Sequence, residues 1–174
     1  MPTPVATPVP PAEAPPTYAP GATETISGLG VGEPGPSWSG PLLDGGTLDG
    51  STLVGKPTVI RFGLDCAECP TADLEAFEAA HRQAGSTANF LVVAAGEPTP
   101  GWTAALFQRL GTSVPLVFDW DHRIASAFKL NIPGTIVLDA DGRVAYVASG
   151  ALSADELFGL IQKFKVEPTP GASS

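Results

Sequence analysis

The stretch Cys66-Ala67-Glu68-Cys69-Pro70 decides the fold class of this chain, because it holds both cysteines and joins a strand pattern to a helical pattern. The apolar run Thr58–Phe62 is typical of a buried β-strand, and helical spacing begins near Pro70. The start of a helix offers unpaired backbone N–H groups and the positive end of the helix dipole, which lower the pKa of a thiol there. We therefore predict a redox-active dithiol in which Cys66 is the attacking thiolate and Cys69, one turn further on, resolves the product.

Other interpretations of the two cysteines are less favoured by the sequence. A zinc site needs two more ligands, and the remaining candidates, His81 and His122, have no ligand-like spacing. A purely structural disulfide across two intervening residues would close too small a loop to restrain the unfolded chain much. Two unrelated buried thiols would not be expected at the start of a helix.

The amino-terminal part of the chain differs in composition from the rest. The first 41 residues hold 11 of the 19 prolines and almost no periodic apolar pattern. Such a segment buries too little apolar surface to order itself, so residues 1–35 are predicted to be a disordered Pro-rich linker. We expect one domain over residues 36–166 and a disordered tail over residues 167–174.

The charge balance limits the classes of partner. The net charge is −9, from 18 acidic and 9 basic residues, which disfavours binding to nucleic acid or to an anionic membrane surface. No apolar stretch reaches the roughly 18 residues that a spanning helix needs, and no signal-peptide pattern precedes the linker. If the protein is exported or anchored, we expect that the responsible segment has been removed from this sequence.

The order of the secondary-structure patterns predicts the architecture. Turn signals at Asp44-Gly45-Gly46 and at 139–142 indicate two β-hairpins, and strand and helix patterns alternate between them. Asp121 is a candidate cap for a short helix that reaches Phe128, and Ser153 with Glu156 forms a capping box before the last helix. We predict an α/β fold with a mixed central β-sheet, helices on both faces and an N-terminal hairpin extension.

Four stretches in the correct order resemble the TlpA/ResA-type thiol-disulfide oxidoreductases of the thioredoxin superfamily. They are the lead-in from Gly35-Pro36-Ser37-Trp38 to Pro57, the Cys66–Cys69 motif, the segment Asn131–Asp139, and the closing hairpin with Asp141-Gly142-Arg143-Val144. The resemblance covers about residues 36–165. It implies a thioredoxin-like fold, catalysis by the two cysteines without a cofactor, and an extracytoplasmic location, periplasmic or on the outer face of a membrane, with tethering through the linker.

The resemblance also implies a substrate-binding element and partners. The Ile132–Pro133 bond is expected to be cis and to face the dithiol, which leaves the backbone of Ile132 free to pair with an extended substrate segment. The expected partners are proteins, namely an upstream electron donor and a client with an exposed disulfide. A membrane is expected to be involved only through a missing N-terminal anchor.

The chain departs from the pattern of this family at the redox motif. Asp65 stands where an aromatic residue is usual, the turn before the motif is one residue shorter, and a position that often holds a buried acid or amide is Ile60 or Arg61. The carboxylates of Asp65 and Glu68 disfavour a nearby thiolate and oppose the effect of the helix start. We therefore predict a reducing couple that acts as a reductase.

Three rival functions remain open at this stage. A peroxiredoxin-like peroxidase would carry Thr or Ser three residues before its reactive cysteine, where this chain has Gly63. A metal-delivery module of the same fold would carry a histidine near Pro133, and none is found there. A binding module whose disulfide merely shapes the site would not reduce model disulfides.

Overall fold

The structure is a computed structural model that describes residues 28–63, 72–95, 105, 107–108, 111–131 and 133–165. The strands are β1 (Ser39–Pro41), β2 (Thr47–Asp49), β3 (Thr58–Phe62), β4 (Asn89–Ala95), β5 (Leu116–Asp119), β6 (Gly134–Leu138) and β7 (Val144–Ser149). The helices are α1 (Ala72–Ala84), α2 (Arg123–Ala127) and α3 (Ala154–Phe164). None of the helices in these ranges is long and apolar enough to cross a bilayer.

Five strands form a central mixed sheet in the order β5-β4-β3-β6-β7. Strands β3, β4 and β5 run parallel, whereas β6 is antiparallel to both β3 and β7. Strands β1 and β2 form a separate antiparallel hairpin, and the Leu43 N–H donates to the Leu116 carbonyl at 3.0 Å, which joins the hairpin to the β5 edge. This arrangement confirms the predicted α/β architecture and the N-terminal hairpin.

The apolar core lies on both faces of the sheet because side chains alternate along each strand. On one face, Val59 belongs to a cluster with Phe77 of α1 and Ile161 of α3. On the other face, Ile60 belongs to a cluster with Ile124 of α2 and with Trp38 beside the β1–β2 hairpin. The near-continuous apolar run of β4 follows from this, since a strand covered on both faces has no solvent side.

The folded domain begins earlier than residue 36, the boundary predicted from the sequence. The Leu29 N–H donates to the Phe128 carbonyl at 3.1 Å, and the Val144 N–H donates to the Glu33 carbonyl at 2.9 Å. The Gly35 N–H donates to the Gly142 carbonyl at 2.8 Å. Residues 29–35 therefore bind the folded domain through backbone hydrogen bonds, to Phe128 after α2, to Gly142 before β7 and to Val144 in β7, which the proline-rich composition did not reveal. The predicted disorder of residues 1–27 and 167–174 lies outside the described residues.

The start of α2 differs from the prediction that Asp121 caps this helix. The carboxylate of Asp119, the last residue of β5, accepts the Ile124 N–H at 3.0 Å and the Ala125 N–H at 2.9 Å. Asp121 instead pairs with Arg123 at 2.6 Å on the surface. The chain turns through His122 at φ 56°, and this turn brings Asp119 under the helix start. The capping box of Ser153 and Glu156 at the start of α3 is confirmed.

Candidate active site

The elements that border the cysteine motif in the chain meet at one end of the sheet. This end, called the active edge here, is formed by Phe62, Gly134 and Ser149. In the register of the sheet, Phe62 at the end of β3 is the partner of Gly134, and Gly134 is the partner of Ser149 at the end of β7. The redox motif is attached to the chain just after Gly63 and before α1 begins at Ala72. Pro133, directly before β6, therefore lies at the same edge as the attachment point of the motif.

The predicted site residues are only partly described by the structure. Asp65, Cys66, Glu68, Cys69 and Ile132 lie outside the described residues. Their roles, and the cis state of the bond before Pro133, stay predictions.

Pro133 itself is exposed. Its carbonyl accepts the N–H of Gly150 at 3.1 Å, which ties the start of β6 to the end of β7.

Gly134 fixes the backbone beside Pro133 through its lack of a side chain. A Cβ at this position would lie 2.9 Å from Leu130 Cδ2 and 3.1 Å from the Asn131 carbonyl oxygen. Carbon atoms in ordinary contact are about 3.5–4.0 Å apart, so no larger residue fits without movement. The close approach of the 130–131 segment to β6 therefore depends on this glycine.

Gly63 continues the parallel pairing of β3 just before the redox motif. Its N–H donates to the Val93 carbonyl at 3.1 Å, and its φ is 124°. A residue with a Cβ rarely adopts this φ, and a β-branched residue such as Thr is strained there. The sequence lacks the Thr or Ser that the peroxidase alternative requires at this position. The backbone at Gly63 is also poorly suited to either residue.

Arg61 is a partly buried cation at this edge. Its side chain is 11% exposed, and its Nη2 lies 3.4 Å from Oδ2 of Asp73 in the first turn of α1. Its Nη1 donates to the Gly150 carbonyl at 2.8 Å. The guanidinium therefore bridges the beginning of α1 and the turn that follows β7.

Burial and pairing act in opposite directions on this guanidinium. Desolvation lowers the pKa of Arg61, and the carboxylate of Asp73 opposes that shift. Arginine remains protonated at physiological pH even so. The site thus contains a permanent positive charge in a region where solvent screens poorly.

The ion pair between Arg61 and Asp73 was not predicted from the sequence. Arg61 was noted only as an occupant of a position that often carries an acid, and Asp73 was not singled out. The sequence does contain one signal for such a pair, an arginine inside an otherwise apolar strand, because a charge that leaves water needs a partner. The identity of that partner depends on where α1 packs against β3, which the sequence pattern does not give.

Among the described residues, neither histidine hydrogen-bonds to Arg61, Pro133 or Gly150. His81 is in the last turn of α1, at the opposite end of that helix, with its ring 5.3 Å from the ring of Phe90. His122 is exposed in the turn before α2. Among the described residues, no group of three or more His, Cys, Asp and Glu side chains could hold a metal ion.

The mixed sheet, the helices on both faces and the proline before the first antiparallel strand define a thioredoxin-fold protein. The chain belongs to the AhpC/TSA family, whose sequence pattern matches residues 31–147. This membership confirms the resemblance to the thioredoxin superfamily. No curated protein matches the sequence.

Solved structures with this fold extend the comparison. A DsbF homologue from Corynebacterium diphtheriae superposes with a TM-score of 0.70 at 21% identity, over 84% of this chain and 97% of that one. A thiol:disulfide interchange protein from Chlorobium tepidum gives a TM-score of 0.66 at 22% identity, over 78% and 98%. A secreted Mycobacterium tuberculosis disulfide oxidoreductase homologous to E. coli DsbE gives 0.62 at 22% identity, over 72% and 95%. At these identities the similarity establishes the shared fold.

Proposed function

We propose that the protein is a thiol-disulfide oxidoreductase that works as an extracytoplasmic reductase through Cys66 and Cys69. The observation that carries the proposal is that the only two cysteines of the sequence stand between the end of β3 and the start of α1, and that the end of β3 pairs with the start of β6, which Pro133 precedes. The structures of a disulfide oxidoreductase and a thiol:disulfide interchange protein with the same fold support it. No cofactor is required, because the electrons come from the dithiol.

The proposed reaction is two successive thiol-disulfide exchanges. The Cys66 thiolate attacks one sulfur of the partner disulfide, that S–S bond breaks, and the second partner sulfur leaves as a thiolate. The Cys69 thiolate then attacks the Cys66 sulfur and releases the first partner sulfur. Two electrons and two protons pass in total from the Cys66–Cys69 dithiol to the partner. A protein donor that reduces the new disulfide completes the cycle.

Substrate binding in this proposal uses the backbone at Ile132 and Pro133. Pro133 is exposed, and an extended client segment that pairs beside it would add main-chain hydrogen bonds with little side-chain preference. The proposed partners are therefore proteins with accessible disulfides and an upstream protein donor. Secretion of the Mycobacterium tuberculosis protein supports an extracytoplasmic location for this one.

The test is reduction of insulin by the purified protein with dithiothreitol as the donor. The wild-type protein should accelerate the reaction, and Cys66→Ser should abolish the acceleration. Cys69→Ser should accumulate a mixed disulfide with insulin. A wild-type protein that reduces neither insulin nor a small aromatic disulfide would contradict the proposal, and better trapping by Cys66→Ser than by Cys69→Ser would reverse the assigned roles.

A peroxidase is the second candidate, because the chain belongs to the AhpC/TSA family. The φ of 124° at Gly63 argues against it, since the hydroxyl-bearing residue of that mechanism is missing and would be strained there. The two candidates differ in their oxidant. Consumption of hydrogen peroxide by the reduced protein at a rate above that of insulin reduction would favour the peroxidase.

A further inference from the structure

The two outer strands of the central sheet are covered to different extents. Strand β5 is bound by the N-terminal hairpin through a backbone hydrogen bond and a β-bridge. Strand β7 is bound only where it begins: the Gly32 N–H donates to the Val144 carbonyl at 2.7 Å, and the Val144 N–H donates to the Glu33 carbonyl. Gly32 has a φ of 91°, which turns the chain, and Leu29 bonds to Phe128 after α2 instead of to β7.

The direction of the backbone groups along β7 follows from a hydrogen bond at its end. The Gly150 N–H donates to the Pro133 carbonyl at 3.1 Å, so it points towards β6. Because backbone groups alternate in direction along a strand, those of Ser149 and Val147 point away from β6. Among the described residues, the N–H and carbonyl of Ser149 and of Val147 have no hydrogen-bond partner. Residues Val147–Ser149 are therefore the open part of β7.

Strand β7 lacks the features by which outer strands usually avoid pairing with other chains. Its six residues, Val144–Ser149, include no charged residue and no proline. Charged side chains and prolines are common means of keeping such strands apart. The irregularity in the β6–β7 pairing lies between Val137 and Leu138, at the covered end of β7. The open part is thus regular, uncharged and able to accept another strand.

We propose that the open part of β7 binds the same strand of a second copy of this chain, so that two copies form a symmetric dimer with one continuous sheet. The two strands run antiparallel, and the two-fold axis passes beside Ala148. Val147 of one copy then lies opposite Ser149 of the other, and these residues exchange both of their N–H···O bonds, as the second such pair does by symmetry. Every outward backbone group of the open part is thereby paired.

The length of the open part favours a second copy as its occupant. An added strand must turn away before it reaches Val144, because Gly32 and Glu33 already bind there. Strand β7 of a second copy meets this condition, since it ends at Ser149 and the chain turns at Gly150, which has a φ of 79°. In the proposed register, Gly150 of the second copy lies beside Tyr146, two residues short of Val144.

The side chain on the axis also suits a symmetric contact. The two copies of Ala148 form a pair without hydrogen bonds, in which the Cα atoms are only about 4.5 Å apart. Alanine is small enough for this separation. The inference goes beyond the proposed function and does not depend on it, because neither cysteine takes part. Antiparallel pairing also directs the active edges of the two copies in opposite directions.

The first test is sedimentation of the full chain from about 10 µM to about 1 mM, with dithiothreitol present to exclude dimers linked by disulfides. We expect a dissociation constant on the order of 100 µM, because one pair of short strands buries less than the roughly 1,200 Å² of a standard interface. Each copy has a net charge of −9, so the copies repel each other and association should strengthen with added salt.

A proline substitution tests the proposed register. Ser149→Pro removes an outward N–H and leaves the bonds between β6 and β7 in place, as proline does on the open side of an outer strand. It should weaken association about tenfold or more, because each dimer loses the same bond twice. Ser149→Ala is the matched control; it keeps the N–H and should change association by less than about twofold. If Ser149→Pro does not fold, Val147→Pro, which also removes an outward N–H, takes its place.

Amide hydrogen exchange identifies the surface that is buried in the dimer. Protection of the Val147 and Ser149 N–H groups should rise with protein concentration, whereas the Ala148 N–H, which points to β6, should be protected at every concentration. A chain that stays monomeric at about 1 mM would refute the proposal. Protection of Val147 and Ser149 that does not depend on concentration would show that another segment of the same chain covers β7, which also contradicts it. A dimer that Ser149→Pro and Val147→Pro leave intact would use a different surface, and the inference would be wrong.

Discussion

Replacement of Gly134 by alanine should loosen the segment that carries Pro133. The new Cβ would lie 2.9 Å from Leu130 Cδ2 and 3.1 Å from the Asn131 carbonyl oxygen. To reach a separation of about 3.4 Å, the Leu130 side chain must withdraw by about 0.5 Å and the Asn131 carbonyl by about 0.3 Å. The second shift is a backbone movement two residues before Pro133, so it alters the site and not only the core.

The expected magnitudes follow from these displacements. Overpacking of this kind costs about 1–3 kcal/mol in the free energy of unfolding. In a chain of this size, each kcal/mol lowers the melting temperature by about 2–4 °C, so we expect a decrease of about 5 °C. Since a 1 Å error in positioning can cost about 100-fold in rate, a shift of a few tenths of an ångström should slow insulin reduction about three- to tenfold.

The assay compares a protein substrate with a small aromatic disulfide, which needs no strand pairing and should react at the wild-type rate. Gly159→Ala in α3 is the matched control, because the residue is helical and a Cβ added there would meet no atom within 4 Å. This control should stabilise the protein by about 0.5–1 kcal/mol. If Gly134→Ala matches the wild type in melting temperature and in insulin reduction, the argument for a tightly held Pro133 segment is refuted.

The remaining predictions concern the helix starts. Asp119 is 2% exposed and its carboxylate accepts two backbone N–H groups, so Asp119→Ala should lower the free energy of unfolding in urea by about 3 kcal/mol. Arg123→Ala, at the exposed ion pair, should change the free energy of unfolding by less than about 1 kcal/mol. Hydrogen bonds from Ser153, its backbone N–H first, hold the pKa of Glu156 below its ordinary value. The stabilisation by Glu156 is therefore complete above the unfolded pKa of about 4.3 and is lost as the pH falls through the folded pKa. Consequently Glu156→Gln should reduce the acid-induced drop in melting temperature, and equal drops in both proteins would contradict this.

The features predicted well from the sequence are those that depend on neighbours along the chain. The hairpin around Asp44-Gly45-Gly46 and the capping box of Ser153 and Glu156 involve residues within a few positions of each other. Turn chemistry and side-chain periodicity specify such features directly. The order of strands and helices follows from them, and with it the fold class.

The features that the sequence did not predict depend on register and on close packing. Residues 29–35 bind Phe128, Gly142 and Val144 through backbone groups, which composition does not reveal, so composition alone suggested a linker. Asp119 was passed over in favour of Asp121, because the reach of a carboxylate depends on the left-handed turn at His122. The partners of Arg61 lie 12 and 89 positions away and become visible only when the sheet register is known.

An arginine one residue before the end of β3 limits the proton transfers that are open to this position. A buried carboxyl group at such a position can take up and release a proton, whereas a guanidinium keeps its protons at any physiological pH. Arg61 therefore cannot act as a proton relay, and in the proposed reaction the proton that leaves Cys69 must pass to water or to the departing partner thiolate. We predict that the carboxylates of Asp65 and Glu68 make a thiolate at Cys66 harder to form. A thiolate that is not strongly stabilised is what we expect of the proposed reductase rather than of a strong oxidant.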